Sequence, residues 1–168
     1  KQKTAYEIYQ CDWSSDVCSS DLGWWMAAIT PSPDRIAYAV RRLTDGRVIG
    51  TSSYLHINEP DFAAEIGSTF YEPAARGGVT NPECKLLLLG HAFACGARRM
   101  ELRVDALNAR SQAACLKLGA VREGTLRRHK LTWTGRLRDT VVFSILDDEW
   151  PSVQADLEAR VAAAQGAT

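Results

Sequence analysis

The sequence predicts a single domain of mixed α/β class, and three observations carry that expectation. Short β-rich runs bounded by turn signals are interleaved with apolar-periodic helical runs from Arg35 onward. A glycine pair, Gly77-Gly78, stands where a strand candidate gives way to a helix candidate. No internal repeat or linker divides the 168 residues, so strands and helices are expected to share one core.

Residues 1–22 have a different texture, polar and serine-rich with no usable period. Back-translated, Asp12–Leu22 resembles a common sequencing-library adapter, Lys1–Ile8 resembles its outer primer, and Ile8–Cys11 accommodates an index in frame. This segment is therefore expected to be non-native and disordered, with 23–168 forming one domain that lacks its native beginning. Gly23–Thr30, with Trp24, Trp25 and Met26, reads as the end of a helix whose aromatics join the core. Arg35–Leu43 and Arg47–Ile57 flank Asp45-Gly46 and read as a hairpin. Ala63–Tyr71 is a third strand, and Pro73–Gly78 breaks the pattern.

Asn81 as cap, Pro82 at the first helical position and Glu83 in the first turn predict a helix that runs to about Cys95 and stops at Gly96. Arg98–Val104 follows as a strand, then a short helix from Ala109 to Leu118 ended by Gly119. Gly124–Thr132 and Asp139–Leu146 pair around Thr134-Gly135, and a polar helix closes the chain after Asp147.

Twenty basic and twenty acidic residues give a formal net charge of zero, which argues against a protein that holds nucleic acid mainly by counterion release and leaves room only for a local basic stripe. The longest apolar run, Leu86–Leu89, is far too short to cross a bilayer, so no membrane partner is expected. Five cysteines, odd in number and without a CxxC pair, point to a reduced, cytoplasmic setting with neither a disulfide framework nor a zinc site.

The chemistry concentrates around Tyr71–Lys85. A strand, a glycine pair and then a helix N-terminus present backbone N–H groups and a positive dipole end to an anion, and a phosphate suits such a place. The same arrangement also serves as a plain tight connection. The dinucleotide fingerprint G-x-G-x-x-G is absent. Among the histidines, His56 lies on a strand as a candidate base, and His91, in the apolar helix, is expected in the core.

Three segments taken together resemble the GNAT superfamily of N-acetyltransferases: E-I-G-S-T-F-Y-E-P-A-A-R-G-G-V-T-N-P-E-C-K-L-L-L-L-G-H-A-F from Glu65, R-R-M-E-L-R-V-D-A-L-N-A-R-S-Q-A-A-C-L-K-L-G-A from Arg98, and E-G-T-L-R-R-H from Glu123. Within it they are similar to the ribosomal-protein-type enzymes that modify N-terminal amines, in order from about Ile36 to Trp150. The resemblance implies a central mixed, mostly antiparallel twisted sheet flanked by helices.

It also implies acetyl-CoA as cosubstrate and direct transfer to an amine acceptor, with no metal, in a monomer or homodimer. On this resemblance Arg76, Gly77, Gly78, Val79, Thr80 and Asn81 match the pyrophosphate loop, with Val79 and Asn81 in place of its small residues. Phe70 and Tyr71 end the strand whose main chain holds the pantetheine arm. Asn108 and Ser111 match a second coenzyme-contacting segment, where an N-cap role is equally served. Glu65 matches a carboxylate that takes a proton from the amine, a place that a structural carboxylate bonded to a neighbouring strand or arginine equally fills, and Ser111 is the candidate acid toward the departing thiolate because Cys115 occupies the position of the usual tyrosine. Arg127, Arg128, His129 and Asp139 belong to the hairpin that borders the acceptor site.

The expected function is therefore acetyl transfer from acetyl-CoA to a primary amine, on a protein N-terminus or a small molecule. The alternatives are a non-catalytic acyl-CoA-binding module and a different phosphate binder.

Overall fold

The computed structural model describes residues 6–10, 32–132 and 134–166, with side chains from Ser32 onward. Within them, one sheet contains β1 (Tyr6–Gln10), β2 (Ile36–Arg42), β3 (Val48–Asn58), β4 (Ala63–Tyr71), β5 (Arg99–Asp105), β6 (Val121–Leu131) and β7 (Leu137–Leu146). Three helices accompany it: α1 (Thr80–Ala94), α2 (Ala109–Leu118) and α3 (Trp150–Gln165). The mixed, mostly antiparallel architecture is the expected one.

The expected disorder of residues 1–22 does not hold at Tyr6–Gln10, which pairs antiparallel with β2 from Tyr6↔Arg42 to Gln10↔Tyr38. Two tyrosines and an isoleucine in five residues suit an extended backbone, and the free edge of β2 supplies the hydrogen bonds. The helix end expected at Gly23–Thr30 lies outside the described residues.

Local chemistry accounts for most boundaries. At the β2–β3 turn Gly46 takes φ 71°, and Asp45 accepts from the Arg47 amide at 3.2 Å and the Arg42 side chain at 3.0 Å. Gly119 closes α2 in the left-handed conformation at φ 96°. One boundary differs from expectation. Helix α1 begins at Thr80 with Val79 as its cap, and no side chain caps it. Asn81 instead lies within the first turn, where its Oδ1 accepts a hydrogen bond from the Tyr71 hydroxyl at 3.3 Å. The tyrosine at the end of β4 thus competes for the amide that the spacing had assigned to capping.

The sheet order is β1-β2-β3-β4-β5-β7-β6. It consists of two antiparallel halves joined by a single parallel contact, β4 with β5, through Ala63↔Arg99, Ala64↔Met100 and Glu65↔Glu101. β4 runs on to Tyr71 and β5 to Asp105, so both continue past the last paired position. Helix α1 covers one side of this junction through Cys84, Leu88, Leu89 and Ala92, a spacing of about one turn that makes a single apolar stripe. α3 seals it with Trp150, Val153, Leu157 and Val161, and the Phe93 and Trp150 rings stack at 5.3 Å. Met100, Phe143 and Ile145 are fully buried between the layers. Burial of each such side chain contributes about 1.5–3 kcal/mol.

Gly50 fixes how closely β3 approaches the end of β4. A Cβ there would fall on the Phe70 carbonyl oxygen and within 2.6 Å of Tyr71 Cδ1. Gly50→Ala is therefore expected to lower stability by roughly 2 kcal/mol or more, read as a drop in urea midpoint with an unchanged m-value. A variant as stable as the parent contradicts this packing.

Candidate active site

The sheet opens where β4 turns away from β5. On the β3 side, Ser53 pairs with Gly67 and Thr51 with Phe70, so Ser52 alone opposes both Ser68 and Thr69. This is a β-bulge with Ser68 at φ 47°, and a bulge bends and twists its strand. The edge of β4 beyond Glu65 is left without a ladder partner on the β5 side.

The bulge is pinned from below by Lys85 in the second turn of α1. Its ammonium donates to Thr69 Oγ1 at 3.0 Å and to Ser52 Oγ at 3.4 Å, and those two hydroxyls lie 2.7 Å apart. Lys85 is buried, and this burial pulls its ammonium down to about 8.

At the end of β4 the predicted anion loop assembles as a unit. Arg76 donates from Nε to the Tyr71 carbonyl at 2.7 Å, and its guanidinium lies 4.9 Å from the centre of the Phe70 ring. Gly77 requires its glycine for φ 83°, and neither Gly77 nor Gly78 has an atom within 4 Å of where a Cβ would stand, so the space over this backbone is open. Helix α1 starts immediately after, at Thr80. The amides of Gly77, Gly78 and Val79 donate to no backbone carbonyl among the described residues. Open space, free amides and a positive dipole end coincide here.

Across the gap, β5 leads into the second helix N-terminus. Asn108 caps α2, its Oδ1 accepting from the Ser111 amide at 3.0 Å. Since β4 and β5 are parallel, both strands run out toward helix N-termini on the same side of the opening. Cys115 is buried one turn further along α2, and burial pushes its thiol up to about 11. It is a poor thiolate nucleophile in that state.

Glu65 occupies the last position of β4 that pairs with β5. It is 6% exposed, and its Oε2 has no hydrogen-bond partner. Arg103 Nε stands 3.6 Å from that oxygen, but the Arg103 guanidinium is committed to Glu101 at 2.9 Å, and Arg99 holds the other Glu101 oxygen at 3.0 Å. Burial therefore prevails and raises the Glu65 carboxyl above its ordinary range, against the opposing charges of Arg103, His56 and Lys130. His56 Nε2 lies 3.7 Å from Glu65 Oε2.

A second bulge creates that approach, because Leu55↔Glu65 and Asn58↔Ala63 leave two residues of β3 opposite one of β4, with His56 at φ 51°. A third lies between Leu126 and Lys130 on β6, where Arg128 takes φ 50° and its amide donates to Asp139 Oδ1 at 2.6 Å. Thr125, Leu126, Arg127, Arg128 and Asp139 line an open concavity of about 720 Å³ beside it. The buried Nδ1 of His129 lacks a partner, and burial together with Lys130, Arg103 and Arg138 lowers its affinity for a proton.

The structure thus brings Phe70, Tyr71, Arg76 and Asn81 into one bonded cluster, and Asn108 with Ser111 into another. His91, expected in the core, is exposed with its ring stacked over Tyr54 at 6.4 Å between centres. Lys85 was missed, although a lysine directly before four leucines on an amphipathic helix is a signal that its stem is buried.

Comparison with known proteins places the chain by family and fold. A family model described as an acetyltransferase (GNAT) domain matches residues 6–121. The chain is 38% identical to a crystal structure assigned as an acetyltransferase, covering 83% of this chain and 71% of that one at a TM-score of 0.77. It is 30% identical to a GCN5-related N-acetyltransferase from Brucella melitensis, with 83% and 63% covered and the same TM-score of 0.77. A protein from T. thermophilus, also assigned as an acetyltransferase, is 39% identical over 81% of this chain and 71% of its own, at 0.75. The chain therefore spans between 63% and 71% of these proteins. A spermidine/spermine N-acetyltransferase from Vibrio cholerae shares the fold at 15% identity, 88% and 96% coverage and a TM-score of 0.69. No curated protein matches.

The buried ammonium leaves a signature in stability. The unfolded chain holds the Lys85 proton up to its ordinary value of 10.5 while the folded chain releases it near 8, so the folding cost is complete below pH 8 and fades as the pH rises between those values. Relative to Lys85→Met, the parent is expected to gain on the order of 3 kcal/mol over that interval in urea titrations. A constant difference between the two proteins contradicts the assignment.

Proposed function

The chain belongs to the GNAT acetyltransferases, and on that premise we propose that it transfers the acetyl group of acetyl-CoA directly to a primary amine. The observation that carries this reading is the opening between β4 and β5 beyond Glu65, with an unfilled glycine loop and two helix N-termini at its mouth. An extended thiol arm fits along an unpaired strand edge as an added strand fits a sheet, by main-chain hydrogen bonds. Its pyrophosphate then falls on the amides of Arg76–Asn81 at the start of α1.

In this reading the edge of β4 ending in Phe70 and Tyr71 takes the pantetheine, and Arg76, Gly77, Gly78, Val79, Thr80 and Asn81 take the pyrophosphate. Asn108 and Ser111 border the coenzyme from the other wall. Asn108 does so by ordering the start of α2, since its side chain is spent on the Ser111 amide.

An alkylammonium is no nucleophile until it loses a proton, and Glu65, buried with its carboxyl raised, is the group suited to take it. The freed amine attacks the thioester carbonyl, the C–N bond forms and the C–S bond breaks. Ser111 hands a proton to the departing thiolate and takes the second proton of the attacking nitrogen in its place, in keeping with a Cys115 thiol too deeply buried for a role as thiolate. The acceptor is a peptide N-terminus or a small amine, and the hairpin of β6 and β7, with Arg127, Arg128, His129 and Asp139, borders its site. The resemblance to ribosomal-protein-type enzymes favours the peptide. The working location is the cytoplasm, as a monomer or homodimer.

Thiol release from acetyl-CoA, followed with a panel of peptides and small amines, tests the reading. Release with at least one amine is expected; tight coenzyme binding without turnover on any of them would reduce the chain to a binding module. Glu65→Gln is expected to lower kcat about 100-fold while coenzyme affinity stays unchanged. Arg76→Ala is expected to raise the KM for acetyl-CoA about tenfold with little change in kcat.

A further inference from the structure

We propose that His56, held by Asp34, is the proton exit that returns Glu65 to its basic form after each turnover. This rests on the acetyl-transfer reading above, whose proton balance demands such a path. Amide formation from an ammonium strips two protons from nitrogen. One ends on the CoA thiol, and the other, taken by Glu65, must leave the protein before the next cycle. Glu65 is buried, with only 8% of its side chain exposed, so a neighbouring group that reaches solvent offers that proton a shorter way out than direct exchange.

His56 is built for the task by position. Its Nε2 is 3.7 Å from the unpartnered Oε2 of Glu65, and its Nδ1 is 3.8 Å from Asp34 Oδ2. Both gaps are ion-pair distances, within the reach of about 4 Å for a charged pair. The ring is 47% exposed and Asp34 57%, and the two face an open concavity of about 500 Å³ that also includes Ile57, Asn58 and Glu59. One end of the chain is therefore buried and the other is wet.

The backbone maintains this alignment. The β3 bulge turns His56 to φ 51°, a conformation costly for a histidine, and the neighbouring Ile57 amide donates to the Asp34 carbonyl at 3.1 Å. Ser32 donates to the Asp34 carboxylate at 2.5 Å and fixes its rotamer. A carboxylate 3.8 Å from Nδ1 favours the tautomer that carries its proton on Nδ1 and offers Nε2 to Glu65. The other charged groups around this path are Arg35 beside Asp34, Arg103, Lys130 and Glu101 around Glu65, and His129 facing His56 from β6.

His56 touches no reacting atom in this scheme and acts through Glu65. Its step moves one proton from the Glu65 carboxyl to Nε2 and releases another from Nδ1 to water, and exchange of the remaining proton from Nε2 to Nδ1 through water at the exposed ring restores the starting tautomer.

The test uses the full chain with acetyl-CoA and an amine it acetylates. His56→Asn keeps a residue tolerant of positive φ while removing the proton carrier. It is expected to lower kcat about tenfold, to leave the KM for acetyl-CoA unchanged, and to make the rate rise with imidazole or buffer concentration, which the parent does not show. Asp34→Asn, exposed and outside the sheet core, is expected to lower kcat about threefold and to shift the pH–rate profile.

A His56→Asn rate within twofold of the parent and independent of buffer overturns the exit path alone. So does a rate loss in either variant that buffer cannot restore and that leaves the pH profile in place. A parent that acetylates no amine overturns the transfer reading itself, and the exit path with it.

Discussion

One buried ammonium holds the centre of this molecule open. Lys85 gives its hydrogen bonds to Ser52 and Thr69, the residues that face each other across the β4 bulge. Without that bulge, β4 and β5 are two neighbouring parallel strands with every reason to remain paired, and the sheet would close into an unbroken surface. With it, the ladder stops at Glu65↔Glu101 and two strands diverge toward two helix N-termini. Burying a lysine without a carboxylate is costly, which is why its proton affinity falls toward about 8. The hydroxyl pair offsets part of that cost and is itself ordered by the exchange.

The same device recurs around Glu65. Among the described residues, four non-glycine positions have positive φ, and three of them, His56, Ser68 and Arg128, sit on bulges of β3, β4 and β6. Each such residue costs on the order of 1–3 kcal/mol and persists where its surroundings over-determine it. Lys85 does so for Ser68, the Ile57–Asp34 backbone bond for His56 and the Asp139 carboxylate for Arg128. Of these three, His56 stands 3.7 Å from the Glu65 carboxylate. Glu65 is kept short of partners because Arg103, near enough to neutralise it, is drawn off by Glu101. Its Oε2 is thus buried without a hydrogen bond, and its affinity for a proton rises.

What could be read from the residues alone was local. Asp45-Gly46, Gly119 and the strand Ala63–Tyr71 fell where turn chemistry and β propensity put them. The loop Arg76–Asn81 was legible too, since a glycine pair between strand and helix is a local pattern. The failures came from distant partners. Asn81 has every mark of a cap, but a tyrosine ten residues earlier takes its amide oxygen. His91 lies in an apolar run, but its face of the helix turns outward. The bulges left no trace in the sequence, because which strand is one residue long or short is decided across the ladder. Lys85 and Arg103 acquire meaning only once the bulge and Glu101 are in place. The loop between β4 and α1 was therefore more legible than the surroundings of Glu65, where His56, Arg103 and Glu101 come from neighbouring strands.

The central claim is that the parted edge of β4 and the loop beyond it receive acetyl-CoA, and amide hydrogen exchange tests it directly. Adding acetyl-CoA is expected to slow exchange in β4 past Glu65 and in the segment Gly77–Asn81, while β6 and α3 are unchanged. If those amides exchange at the same rate with and without saturating coenzyme, or if protection appears elsewhere on the sheet, the account of this cleft is wrong.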